Sequence, residues 1–317
     1  MPFNPALSTC PICQKQEKFS FVKDHQNKDG KFSLYECPNC EIQFWTPFQN
    51  PGKDWYEKEY DYKARNILIS KSYRNCHKRF LDRFKSFPEN TKILDIGCGI
   101  GEFLAELQER GAEVWGVDFN QYHTDIAKNK FGLKNIYTMD FIDFLKREDL
   151  PKFDIVTFFG MLEHIDNPLE LVQEVKRILK LGGILASSAP SKDNLVTGLS
   201  SKDIPPDHLS QWNKKAISTL FQKIDFGIYY IEYVDWFGSF KSVISEKFRM
   251  GLVDKTAKTL DFSGKKRQRN IILLKIIHLL GDIRDYVIGG IPAAILFAVT
   301  WLIGRKGGTM FVLLKQL

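Results

Sequence analysis

Between residues 92 and 236 the chain alternates two kinds of hydrophobic pattern. Short continuous apolar runs recur at 92–96, 113–117, 135–138, 154–159, 184–188 and 228–236. Stretches with apolar residues three and four apart lie between several of them. Phe103, Leu104 and Leu107 share one face of a helix over 102–110, and Gly111 stops it. A second helix covers 169–179 and ends at Gly182-Gly183, and a third covers 216–222. An apolar run without polar alternation fits a strand covered on both faces. Strands alternating with helices in this way predict an α/β, doubly wound, mostly parallel sheet. The run at 309–314 supplies a seventh strand, expected to be antiparallel.

Outside this block the pattern changes. Residues 1–50 read as short strands, at 19–22 and 32–35, with turns at Asp29-Gly30 and Pro38-Asn39. Residues 51–90 read as a charged, Tyr-bearing helical linker or lid that Pro88-Glu89-Asn90 ends. After residue 240 come charged helical sequence, a basic cluster at 265–269 and apolar stretches at 271–280 and 286–304. The expected division is therefore 1–50, 51–90, a main domain over 91–240, an insertion over 241–304, and a last strand over 305–317.

Charge sharpens that division. The formal net charge of +7 is concentrated beyond residue 240, where 14 Lys and Arg face 5 Asp and Glu. The preceding 240 residues balance at −2, so an anionic partner would have to be met by the C-terminal quarter.

Four of the six cysteines form two C-x-x-C pairs, Cys10/Cys13 and Cys37/Cys40, enclosing 23 residues. Two such knuckles at this spacing predict a tetrahedral tetrathiolate site for Zn2+. Four thiolates leave no open position, so the metal is expected to be structural. Residues 1–10 carry no basic stretch followed by an apolar run, which predicts a cytoplasmic, reducing setting where cysteines bind metal in preference to pairing as disulfides. Residues 1–60 hold 7 Lys against 8 acidic residues, a poor composition for gripping phosphates.

The run Ile93-Leu94-Asp95-Ile96-Gly97-Cys98-Gly99-Ile100-Gly101-Glu102 reads as strand, Gly-rich turn and helix start. Glycines there let backbone approach a ligand, and the N–H groups of the helix start need acceptors. Asp118 follows Gly97 by 21 residues, at the end of the second strand of the block, where a carboxylate accepts both ribose hydroxyls of a nucleoside. The loop is G-x-G-x-G, not G-x-G-x-x-G, so no pyrophosphate is required at the helix N-terminus.

This run resembles motif I of the class I S-adenosylmethionine-dependent methyltransferases, whose sheet is Rossmann-like. Further segments carry the resemblance over roughly 90–190: Val114-Trp115-Gly116-Val117-Asp118, then Phe153-Asp154-Ile155-Val156 with Met161-Leu162-Glu163-His164-Ile165, then Leu179-Lys180-Leu181-Gly182-Gly183, where Leu181 replaces the usual Pro. They are similar to the branch acting on small molecules, lipids and sugars, ubiquinone-type enzymes included. The resemblance implies that Asp95, Gly97, Gly99 and Gly101 hold the methionine part of S-adenosylmethionine. It implies Asp118 on the ribose, with Asp140 and Phe141 at the adenine. A zinc ribbon on such a domain resembles enzymes of surface-polysaccharide and antibiotic-sugar pathways.

A sulfonium is already a strong methyl donor, so positioning the acceptor is the main task and a base is needed only for a hydroxyl. His164, after the fourth strand of the block, and His208, in Asp207-His208-Leu209-Ser210-Gln211-Trp212, are rival bases. Bracing or capping remains the other reading of His164, and Glu163 reads as a structural carboxylate. Phe159-Gly160-Met161 stands where a base-methylating enzyme would carry an N/D-P-P-Y/F tetrad.

The 19 residues of 286–304 hold no charge, long enough to span a bilayer, yet Gly289, Gly290 and Pro292 and the strand that follows argue for an interfacial or buried element. The expected partner is a small-molecule, glycan or lipid-linked acceptor, with peripheral contact to the inner membrane face through 241–304. Nucleic acid is disfavoured. An RNA methyltransferase and an inactive cofactor-binding scaffold are the competing readings.

Overall fold

The computed structural model describes residues 9–64, 75–193, 204–234 and 308–317. The insertion 241–304, with its basic cluster and both apolar stretches, lies outside the described residues.

Near the N-terminus, β1 (Ser20–Asn27), β2 (Gly30–Glu36) and β3 (Gln43–Thr46) form an antiparallel meander. The strand β3 is too short to announce itself in the sequence. Helices α1 (Lys53–Ala64) and α2 (Asn75–Arg83) follow, within the 51–90 region that the sequence reads as helical.

The main sheet is then built as β4 (Lys92–Ile96), α3 (Glu102–Glu109), β5 (Glu113–Asp118), α4 (Gln121–Phe131), β6 (Asn135–Thr138), α5 (Phe141–Leu145), β7 (Phe153–Phe159), α6 (Pro168–Ile178) and β8 (Leu179–Pro190). After these come β9 (Ser210–Gln211), α7 (Lys214–Gln222), β10 (Phe226–Val234) and β11 (Thr309–Gln316). Seven strands pair in the order β10-β11-β8-β7-β4-β5-β6. From β8 to β6 the neighbours are parallel, and β11 is antiparallel to both β8 and β10. The doubly wound sheet with an antiparallel last strand is thus as the hydrophobic pattern predicts. β4 and β7 are almost wholly buried, which is why their sequences show no polar alternation.

One boundary moves for a clear reason. The sequence ends the helix at Gly182-Gly183 and begins the strand at 184. In the structure α6 stops at Ile178, and Leu179 already pairs with Phe153. The next pairing is Ile155 with Ile184, so residues 180–183 form a bulge. Gly182 supplies the positive φ that the bulge needs.

The cysteine-bearing meander is not a free appendage. β3 pairs with β9, so the four-stranded sheet β1-β2-β3-β9 includes a strand from the C-terminal half of the main domain. Cys10, Ile12, Cys37, Cys40, Ile42 and Phe44 share a buried apolar cluster with Trp212, Ile217, Leu220 and Phe221. The ion pairs Lys192–Glu36 and Lys215–Glu41 tie the same surfaces together. Among the described residues no helix is long and apolar enough to cross a membrane.

Candidate functional site

A cavity of about 400 Å³ opens at the C-terminal ends of the parallel strands, where α/β sheets place ligands. Asp95, Gly97, Gly99, Gly101, Asp118, Asp140, Phe141 and His164 all line it. His208 does not line it, although its ring packs edge-on against that of His164, with centroids 4.7 Å apart.

The turn from β4 to α3 is left-handed at Gly97, Gly99 and Gly101. At Gly99 an added Cβ would meet no neighbouring atom within 4 Å, so its backbone faces open space. The turn is drawn to β5: the N–H groups of Gly97 and Cys98 both donate to the carbonyl of Val117, at 2.8 and 3.1 Å. Asp118 completes this link, its Oδ2 accepting the Gly99 N–H and its Oδ1 the Asn120 N–H, both at 2.9 Å. Burial pushes the Asp118 carboxyl above its ordinary value. The two N–H groups and the His123 imidazole oppose that shift without cancelling it. Asp95 is buried and accepts the Thr157 hydroxyl at 2.5 Å, which joins β4 to β7. Asp140 caps α5 by accepting the N–H groups of Ile142 and Asp143, which sets Phe141 at the helix start beside the cavity.

At the other end of the cavity, His164 closes a short 3₁₀ turn after β7. Its Nδ1 lies 2.6 Å from the carbonyl oxygen of Asp207 and 3.2 Å from that residue's Oδ1. The Tyr56 hydroxyl is 3.5 Å from the same nitrogen. Glu163 is buried, and a carboxylate oxygen of its side chain lies within 4.8 Å of ring nitrogens of His164 and His208. Sequence reasoning missed Tyr56 on α1, His77 on α2 and Met161, all of which line the cavity. His77 stacks on Phe103 at a centroid distance of 4.5 Å. The helices of Tyr56 and His77 precede the glycine motif, and only packing brings these two residues to the cavity.

The four ribbon cysteines meet as the spacing predicts. All four sulfurs lie within 4.8 Å of one another, with Cys10–Cys40 at 3.5 Å and Cys13–Cys37 at 3.7 Å. A Zn–S bond of about 2.3 Å implies a tetrahedral edge of about 3.8 Å, so the constellation fits Zn2+. The N–H of Ile12 points at the Cys10 sulfur, 3.5 Å away. Burial pushes the Cys37 thiol up to about 11, and the contact with Cys40, aided by burial, raises Cys10 further. Four thiolates packed this closely would repel one another without a cation among them.

A family model described as a methyltransferase domain matches residues 68–231, more than half of the chain. The ubiquinone biosynthesis O-methyltransferase of Haemophilus ducreyi is 28% identical over 154 residues, covering 46% of this chain and 63% of that protein. The enzyme of the same name from Hahella chejuensis is 25% identical over 159 residues, covering 49% and 64%. The chain thus spans a little under two thirds of the length of these relatives. A Galdieria sulphuraria protein, described as a sarcosine dimethylglycine methyltransferase, shares the fold. It has a TM-score of 0.50 at 14% identity, over 83% of this chain and 98% of that one. With the glycine turn, Asp118 and the strand order in place, the chain belongs to the methyltransferase-domain family of class I S-adenosylmethionine-dependent methyltransferases.

Proposed function

We propose that this chain methylates a hydroxyl group of a small-molecule acceptor, using S-adenosylmethionine as donor and His164 as base. The observation that carries this is one continuous cavity, running from the glycine turn and Asp118 to His164. Relatives named O-methyltransferases support an oxygen acceptor.

Bound in the cavity, S-adenosylmethionine supplies a sulfonium-activated methyl group. The chain's own residues do the rest. Asp95, Gly97, Gly99 and Gly101 hold the methionine end, Asp118 accepts the ribose hydroxyls, and Asp140 and Phe141 border the adenine. His164 takes the proton of the acceptor hydroxyl. His208 braces His164 from outside the cavity. Cys10, Cys13, Cys37 and Cys40 hold a structural Zn2+ in the 1–50 ribbon, which serves the 91–240 domain as a wall.

Within this reading the acceptor is a glycan or lipid-linked molecule of surface-polysaccharide synthesis, and 241–304 brings the enzyme to the inner membrane face. Support for that finer statement is the basic and apolar sequence of 241–304. The test is methyl transfer from labelled S-adenosylmethionine to phenolic and sugar hydroxyl acceptors. Label should appear on a hydroxyl oxygen with the wild-type chain and be lost with His164→Gln. Tight cofactor binding with label found only on nitrogen or carbon acceptors would end the hydroxyl reading.

A further inference from the structure

We propose that Asp207 is a positioning residue that fixes the ring of His164 with its proton on Nδ1, leaving Nε2 bare to receive the acceptor's proton. The inference rests on the reading of His164 as the base, and it adds the group that sets which nitrogen does the work.

Two acceptors from one residue face the same ring nitrogen. The main-chain carbonyl of Asp207 is 2.6 Å from Nδ1, and its carboxylate Oδ1 is 3.2 Å away. A bare Nδ1 would set its lone pair against both oxygens at those distances. A proton on Nδ1 turns the same geometry into one short hydrogen bond and one charge-assisted contact. The bond made by one ring nitrogen fixes the state of the other, so in the neutral ring Nε2 carries no proton.

The Asp207 loop is held independently of His164. Asn27 on β1 donates to the carbonyl of Pro205 at 2.7 Å, and the His208 N–H donates to the carbonyl of Ile204. Leu209 is bonded on both sides: its N–H donates to the Glu163 carbonyl at 2.6 Å, and its carbonyl accepts the Trp45 N–H at 2.9 Å. Ser210 then pairs with Phe44. The ribbon sheet therefore holds the loop that orients the base, and the loop is bonded directly to the residue preceding His164. Asp207 does not line the cavity, so it acts through the ring.

In the step itself, the acceptor oxygen forms its bond to the methyl carbon while the carbon–sulfur bond breaks and its electron pair returns to sulfur. The hydroxyl proton passes to Nε2, and His164 becomes an imidazolium with protons on both nitrogens. The Asp207 carboxylate faces the Nδ1–H of that cation and stabilises it.

The experiment has two arms on the intact chain. Two-bond ¹H–¹⁵N correlation of the six histidine rings, with His164 identified by its loss in His164→Gln, should show the neutral ring protonated on Nδ1. An Nε2–H pattern would overturn the proposal. Kinetically, Asp207→Asn keeps the main-chain carbonyl and the side-chain volume but removes the charge. It should lower kcat about tenfold or more, leave S-adenosylmethionine affinity unchanged, and be partly rescued in Asp207→Glu. Wild-type kcat in Asp207→Asn would also overturn it. If His164→Gln itself keeps full kcat, the base reading fails, and the ring spectrum alone then decides the tautomer.

Discussion

The carboxylate of Asp118 reaches back to the glycine turn, its Oδ2 accepting the backbone N–H of Gly99 at 2.9 Å. The two residues are 19 apart in sequence: Gly99 lies in the turn after β4, and Asp118 ends β5, the parallel neighbour of β4. This bond holds the turn while the second carboxylate oxygen accepts Asn120. One side chain thus shapes the turn and presents an anion to the cavity.

Removing that anion should weaken cofactor binding without unfolding the chain. Asp118→Ala is expected to cost about 1.5–3 kcal/mol in S-adenosylmethionine affinity by calorimetry, the range for hydrogen bonds to a charged group. Because burial raises the Asp118 carboxyl above its ordinary 3.8, protonation begins earlier as pH falls. Wild-type affinity should be full at neutral pH and decline on acidification, while Asp118→Ala stays flat over the same window. Equal slopes for the two proteins would remove Asp118 from the ribose.

Gly99 and Gly101 should respond differently to the same change. Both are left-handed, so an Ala side chain strains either one by about 1 kcal/mol or more. A Cβ at Gly101 would also lie 2.8 Å from Ala127 Cβ and Leu133 Cδ1, whereas at Gly99 it meets nothing within 4 Å. Gly101→Ala is therefore expected to lower the melting temperature clearly. Gly99→Ala should melt nearer wild type while losing cofactor affinity. The reverse order in a thermal melt would contradict this packing.

Metal analysis of a freshly reduced sample should find one zinc per chain, and Cys37→Ser should lose it. Because the ribbon packs against α7 and pairs with β9, zinc removal is expected to disorder the 204–212 loop as well. Acceptor turnover should then fall further than S-adenosylmethionine affinity. A zinc-free chain with wild-type turnover would separate the ribbon from the site.

The two histidines should be unequal. His164→Ala is expected to lower kcat roughly 10²–10⁴-fold with cofactor binding intact. His208→Ala removes a ring packed on His164 outside the cavity and should cost less. Steady-state kinetics on a hydroxyl acceptor decide between them, and a larger loss at His208 would reverse the assignment.

The insertion predicts membrane contact. Intact chain should co-sediment with anionic liposomes at low salt, and replacing Lys265, Lys266, Arg267 and Arg269 by Ala should weaken this, each basic residue contributing about 1 kcal/mol. Protein that stays in the supernatant would end the membrane reading.

The sequence by itself determined the sheet, the glycine turn, Asp118 and the four cysteines. Each is local: continuous apolar runs encode buried strands, glycines encode left-handed turns, and C-x-x-C encodes a knuckle. Even Asp118 could be found, because one strand–helix–strand unit fixes its place beside the turn. The tertiary structure alone decided how the His164 end of the cavity is built. Tyr56 and His77 lie on helices whose sequences say nothing of a cavity, and they reach it only because α1 and α2 pack over the strand ends. His164 and Asp207 are 43 residues apart, with no spacing rule to join them. Nor does the sequence choose between His164 and His208, since both follow strands of the same sheet. Packing decides which ring lines the cavity: His164 does, and the ribbon strand β3, paired with β9, holds the Asp207 loop against the turn after β7.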